Sequence, residues 1–256
     1  MNIQQFESLE STNKYCELLN LSEVEEFTVI VARSQTAGIG QRGNHWEAEP
    51  GKNLTFSLIL KPSFLPVADQ YQLTKAISLG VTDWLMPLVP EGNSHVKIKW
   101  PNDIYVDDKK ICGMLITNRV TGDRLSASIV GIGMNVNQRA FPDWVPNPTS
   151  LALMTGQEWP LAKLLTSLLS AIQERYKELR RESLGTLDGP YLARLLKRGE
   201  KAVYALHGEK IEATITGVNR FGHLQLVTPT GGHLSCQMKE IQFLIPTETV
   251  SPSLPW

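Results

Sequence analysis

The run HVKIKWPNDIYVDDKKICGMLITNRVTGDRLSASIVGIGMNVN, residues 95–137, decides the fold class. Its first six residues alternate in period two, as a strand with one buried face does. Pro101 keeps Trp100 out of the helical region and ends the ladder. Residues 104–106 and 110–120 then read as a hairpin turning at Asp107-Asp108-Lys109, and 125–136 as a strand that pairs next across Thr121-Gly122-Asp123. Strands joined by turns, not by crossover helices, make an antiparallel or mixed sheet with flanking helices, so the expected class is α+β.

Upstream, FTVIVA (27–32) and NLTFSLIL (53–60) are apolar runs of strand length. Ser11-Thr12-Asn13 ahead of KYCELLNL is an N-cap signature for a short helix over about residues 12–20. Val67, Tyr71, Leu73, Ile77, Val81, Trp84 and Leu85 fall at helical spacing and predict an amphipathic helix over 66–86. Downstream, 137–150 is a loop rich in Pro and Asn, 161–181 a long helix with a leucine stripe, and a shorter helix follows Pro190. From Glu200 the texture changes to short β runs separated by His207-Gly208, residues 219–222 and Thr230-Gly231-Gly232, the spacing of a small barrel. The expected organisation is one domain over 1–196 and a second over 197–256, ending in a proline-bearing tail from about 246.

An apolar fraction of 42% is ample for a buried core and argues against disorder. A net charge of −1, with the signs well mixed, argues against a general nucleic-acid binder. Cys16, Cys112 and Cys236 are too few and too widely spaced for a disulfide framework or a zinc site, and no pair of histidines has metal spacing. The N-terminal MNIQQFESLESTN lacks the basic and apolar regions of a signal peptide, and no run approaches the roughly 18 apolar residues of a membrane span. A cytoplasmic protein with reduced thiols and no membrane or nucleic-acid partner is expected.

Three stretches carry chemistry. Gly38-Ile39-Gly40-Gln41-Arg42-Gly43 fits G-x-G-x-x-G, but Pro50-Gly51 end any helix that could follow, so a dinucleotide fold is rejected. Its amides can still face an anion, Arg42 adds a planar donor fork, and Trp46 offers a flat face for a base. The bland reading is a surface loop beside a core tryptophan. Lys97 and Lys99 share a strand face next to Pro101-Asn102-Asp103, which makes an anion or ATP site or a solvated lysine face. In Gly131-Ile132-Gly133-Met134-Asn135-Val136-Asn137, strand glycines mark a close approach of a ligand or tight packing, and Asn135 and Asn137 share a face. Gln35 can both donate to and accept from an amide-like ligand.

In their order (Ser11-Thr12-Asn13, Gln35, GIGQRGNHW, GKNLTFSL, KWPND, KKICGML, GIGMNVN) these pieces resemble the biotin–protein ligase family over about residues 5–185. The tail is similar to that family's small SH3-like C-terminal β-barrel. The resemblance implies a class II synthetase-like catalytic domain that forms biotinyl-5'-AMP from biotin and ATP and passes biotin to a lysine of a biotin carboxyl carrier protein or domain. It implies that Ser11, Thr12, Asn13, Gln35, Gly38, Ile39, Gly40, Lys110, Gly113, Gly131 and Gly133 hold biotin. Gln41, Arg42, Gly43, Asn44, Trp46, Lys99 and Asn135 would meet ATP and the adenylate, with Trp46 and Asn135 sandwiching adenine and Lys99 and Arg42 catalytic. Mg²⁺ would accompany ATP; its ligands stay unassigned, with Asp103 the nearest carboxylate in sequence. Ile39 and Gln41 stand where the family commonly has arginines. The match begins almost at Met1, so neither a helix-turn-helix nor repressor activity is expected. Monomer and homodimer both fit. The alternatives are a lipoate or octanoyl ligase, whose arginine-rich triple-glycine motif is not found here, and a non-catalytic biotin or nucleotide sensor.

Overall fold

The computed structural model describes residues 1–90 and 95–244, with Arg42 described in its backbone alone; the expected tail from about 246 lies outside them. Strands β1 (Asn2–Leu9), β2 (Thr28–Gln35), β3 (Leu54–Leu60), β4 (Val96–Lys99), β5 (Asp103–Val106), β6 (Lys109–Thr121) and β7 (Arg124–Met134) form one sheet in the order β1-β2-β3-β7-β6-β5-β4. Only β1 and β2 run parallel; the other pairs are antiparallel, so the sheet is mixed.

Strand β1 was not expected. Its sequence NIQQFESL is exposed at six of eight positions, so no apolar alternation announces it. Backbone pairing to β2 holds it, and Phe6 and Leu9 pack on a small cluster of Cys16, Ile30, Ile59 and Ile129. The first helix, α1 (Thr12–Glu17), is shorter than its sequence suggested, and β2 runs on to Gln35.

The two faces of β3 explain the layering. All seven of its residues are buried. Leu54, Phe56, Leu58 and Leu60 join the main core beneath α2 (Tyr71–Leu85) and α4 (Leu161–Arg181), between which lies the short α3 (Leu151–Thr155). Because side chains alternate along a strand, Thr55, Ser57 and Ile59 point to the opposite face, where α1 packs.

After α5 (Asp188–Arg194), strands β8 (Lys201–Leu206), β9 (Glu209–Val218), β10 (Leu224–Val227), β11 (His233–Cys236) and β12 (Ile241–Phe243) form a small antiparallel sheet in the order β11-β10-β9-β8-β12. The small β unit is as expected, but its end strands do not pair among the described residues. It is an open sheet, not a closed barrel. Its turn at 219–222 docks where α2 begins and β4 ends. Trp100 Nε1 donates to the Gly222 carbonyl at 2.9 Å, Gly222 lies against the Tyr71 ring, and Arg220 grips Asp69 through two bonds of 2.5 and 2.6 Å.

All three cysteines are free and buried. Burial pushes the Cys16 thiol up to about 12, and burial also raises Cys112 and Cys236. Thiolates, not thiols, react. A thiol-specific disulfide reagent at pH 8 is therefore expected to find no fast-reacting cysteine in the native protein and three after denaturation. A fast native phase would contradict this packing.

Candidate active site

The site is a trough on the face of the large sheet away from α2 and α4. One row of cross-strand neighbours runs Thr55, Gly133, Gly113, Asp103, Lys99 across β3, β7, β6, β5 and β4. The next row pairs Ser57, Gly131 and Leu115. Three of these positions are glycine, so the sheet has a floor of bare backbone where side chains would otherwise stand. A Cβ on Gly131 would overlap the Asn13 amide, and one on Gly133 would overlap the Trp46 indole. Above this floor lies a cavity of about 780 Å³.

One end of the cavity is uncharged, polar and fixed. Ser11, Thr12 and Asn13 are each at most 5% exposed. Ser57 Oγ lies 2.8 Å from Thr12 Oγ1 and 2.5 Å from Asn13 Oδ1, and Asn13 Nδ2 donates to the Leu115 carbonyl at 3.3 Å. Gln35 Oε1 accepts from Thr12 N–H at 2.7 Å, which leaves its Nε2 on the Gly38 side. Ser11 occupies the N-cap position of α1 but makes no side-chain capping bond, and its residue lines the cavity. A rigid set of short donors and acceptors of this kind suits an uncharged, amide-like ligand.

The other end is cationic. Lys99 Nζ donates to Tyr105 Oη at 3.0 Å and sits 4.9 Å from the Tyr105 ring centre and 5.7 Å from that of Phe243. Lys110 Nζ is 2.9 Å from Asp103 Oδ2 and 5.6 Å from the Trp46 ring centre. Lys97 shares the strand face with Lys99 but opens into a different cavity of about 360 Å³, beside His95 and Asp107. Trp100 and Pro101 follow Lys99 and are clamped from behind: Trp100 by the Gly222 carbonyl, Pro101 by Tyr71, whose hydroxyl donates to its carbonyl at 3.2 Å.

The glycine loop closes on itself over the trough. Gly40 N–H donates to Asn44 O at 2.6 Å and Trp46 N–H to Gly38 O at 2.9 Å. Ile39, Gly40, Gln41, Asn44 and Trp46 line the cavity; Gly38 sits behind them against Gln35 and Trp46. Gly43 has positive φ, with open space where a Cβ would be. The Arg42 side chain lies outside the described part of the structure. Trp46 Nε1 is buried without a hydrogen-bond partner among the described residues. An orphaned donor in such a place costs about 1–3 kcal/mol, which a bound acceptor would offset.

Two sequence-derived site residues sit behind the cavity wall. Asn13 braces Ser57 and backs onto Gly131. Asn135 lies just past β7, which ends at Met134, and its Oδ1 is buried without a hydrogen-bond partner among the described residues. Asn135 is 4% exposed and donates to Thr149 O at 3.0 Å, while Asn137 exchanges two bonds of 2.9 Å with Trp159. The Asn135 amide pins the 137–150 loop to the end of β7, and Asn137, within that loop, is tied to Trp159.

Sequence reading missed Ser57 and the strap Lys239, Ile241, Gln242 and Phe243, which walls the cavity from the small sheet. Thr55 and Ser57 did leave a signal, as polar residues two apart in an otherwise apolar strand. The strap left none, because nothing local marks which face of a distant hairpin turns inward. Among the described residues no three His, Cys, Asp or Glu side chains come together, and the cleft carboxylate Asp103 is paired to Lys110. The residues present therefore do not make a protein-built cage for Mg²⁺.

Residues 5–135 match the Biotin/lipoate A/B protein ligase family. The chain is 34% identical over 173 residues to the bifunctional ligase/repressor BirA of Bacillus subtilis, a match covering 66% of this chain and 52% of that protein, so it spans about half the length of that relative. It is 28% identical over 206 residues to the biotin–[acetyl-CoA-carboxylase] ligase of Paracoccus denitrificans, covering 79% and 85% of the two chains. The biotin protein ligase of Aquifex aeolicus, solved in complex with biotin and ATP, matches with a TM-score of 0.77 and 29% identity over 94% of this chain and 97% of that one.

Proposed function

The chain belongs to the Biotin/lipoate A/B protein ligase family, and from that premise we propose that it is a biotin–protein ligase that forms biotinyl-5'-AMP from biotin and ATP and transfers the biotin to a lysine of a biotin carboxyl carrier domain. One observation carries the reading: a bare glycine floor joins a buried, uncharged hydrogen-bonding pocket to a lysine at the far end. Biotin has that polarity, with a ureido ring at one end and a carboxylate at the other. Ser11, Thr12 and Gln35 would receive the ring, and Gly113, Gly131 and Gly133 would let the ligand lie against the backbone.

A carboxylate does not surrender oxygen at neutral pH, so it must be activated. A carboxylate oxygen attacks the α-phosphorus of ATP and pyrophosphate departs. Both reactants are anionic, and Lys99 would offset the charge that accumulates between them. The glycine loop, folded over the trough, would keep water from the mixed anhydride. The deprotonated amine of the acceptor lysine then attacks the acyl carbon and AMP leaves. Mg²⁺ would arrive bound to the phosphates of ATP. No helix among the described residues is long and apolar enough to cross a membrane, and we place the reaction in the cytoplasm.

The direct test is ATP–pyrophosphate exchange by the purified protein with biotin or lipoate. Exchange with biotin and not lipoate is expected. Exchange with lipoate alone would overturn the substrate, and exchange with neither would overturn the activity.

A further inference from the structure

We propose that Lys239, contributed by the small C-terminal sheet, binds the polyphosphate of ATP and is a nucleotide-binding residue of this site. The inference rests on the adenylating reading above. A triphosphate needs several positive partners, and the described cations of the cleft are unequally available. Lys110 is held by Asp103 at 2.9 Å. His45 lies 3.3 Å from Glu47. Lys99 is committed to the carboxylate end, tucked between the rings of Tyr105 and Phe243. Lys239 is exposed, lines the cavity, and has no carboxylate partner among the described residues.

Its position fits the phosphates better than the biotin pocket. It precedes β12, whose Phe243 ring faces the Lys99 ammonium. Its neighbour Met238 accepts a contact from Gln41 Nε2 at 3.0 Å, which ties the strap to the glycine loop. Glycine-loop amides and Lys239 would then meet the phosphate chain side by side. A flexible ammonium at a solvent-facing rim suits a triphosphate as a point charge, without the fixed geometry an arginine fork demands.

Lys239→Ala, Lys239→Glu and Lys239→Arg separate this role from a structural one, because the side chain is exposed and its loss leaves no buried group unpaired. Lys239→Ala should raise KM for ATP about tenfold, Lys239→Glu more, and Lys239→Arg should stay within about threefold of the parent. KM for biotin and the melting temperature should not move. Inorganic tripolyphosphate should inhibit exchange by the parent and lose about tenfold in potency against Lys239→Ala, whereas inhibition by AMP should change little. Unchanged ATP and tripolyphosphate constants in Lys239→Ala would overturn the inference, as would an equal rise in both substrates' KM values. Calorimetric titration of the parent and Lys239→Ala with tripolyphosphate needs no turnover. Equal binding by the two, or none by the parent, would overturn the role of Lys239 alone, while a parent that shows no exchange with biotin or lipoate overturns the activity.

Discussion

Replacing Lys99 by alanine is expected to lower biotin-dependent ATP–pyrophosphate exchange by about 10²–10³ while the protein stays folded. The side chain is half-buried at the end of β4 and points into the cleft. Its aromatic neighbours shield the ammonium from part of its solvent, which strengthens its action on nearby anions. The structural cost is modest. Tyr105 Oη would lose a donor, worth about 1 kcal/mol, and the β4 ladder does not depend on the side chain. Circular dichroism and thermal melting check the fold; isotope exchange checks the chemistry. A folded Lys99→Ala that keeps exchange within about threefold of the parent would remove Lys99 from the reaction.

Gly133→Val should be nearly as damaging for a different reason. Valine favours strand backbone, so the sheet itself should tolerate the change. The new side chain would stand in the trough, in the space the Trp46 indole now fills. The loop bearing Trp46 would be pushed off its seat and the floor blocked. KM for biotin should rise by about 10² with the melting temperature little altered. Gly131→Ala offers the contrast. Its Cβ meets an Asn13 amide fixed by Ser57 and Leu115, so it should lower stability as well as binding. A Gly133→Val protein with an ordinary biotin KM would show that the ligand lies elsewhere.

Much of this site was legible because its pieces are local. Lys99 and the Pro101 that ends its strand are two residues apart, and glycines inside an apolar strand say that something approaches the backbone. Two readings went differently for identifiable reasons. Ser11-Thr12-Asn13 looked like a helix cap, and Ser11 does hold the cap position, yet its hydroxyl makes no capping bond. β1 escaped because an edge strand needs only backbone pairing, which side-chain patterning does not record. The wall from Lys239 to Phe243 depends on how one sheet seats on another, and the bonds that set this seating join residues as distant as Asp69 and Arg220.

That seating has a temporal side. A ribosome releases the chain from its N-terminus, and the glycine floor is complete once Gly133 has emerged. The opposite wall follows only when synthesis has passed Phe243, roughly a hundred residues later. Until then the large sheet can fold and hold its floor, but Trp100 and Tyr71 lack the turn that caps them and the cleft stands open along one side. The nascent chain therefore acquires the polar pocket of Ser11, Thr12 and Ser57 before the wall from Lys239 to Phe243, and an unfinished protein would have the floor of the cleft without its enclosure.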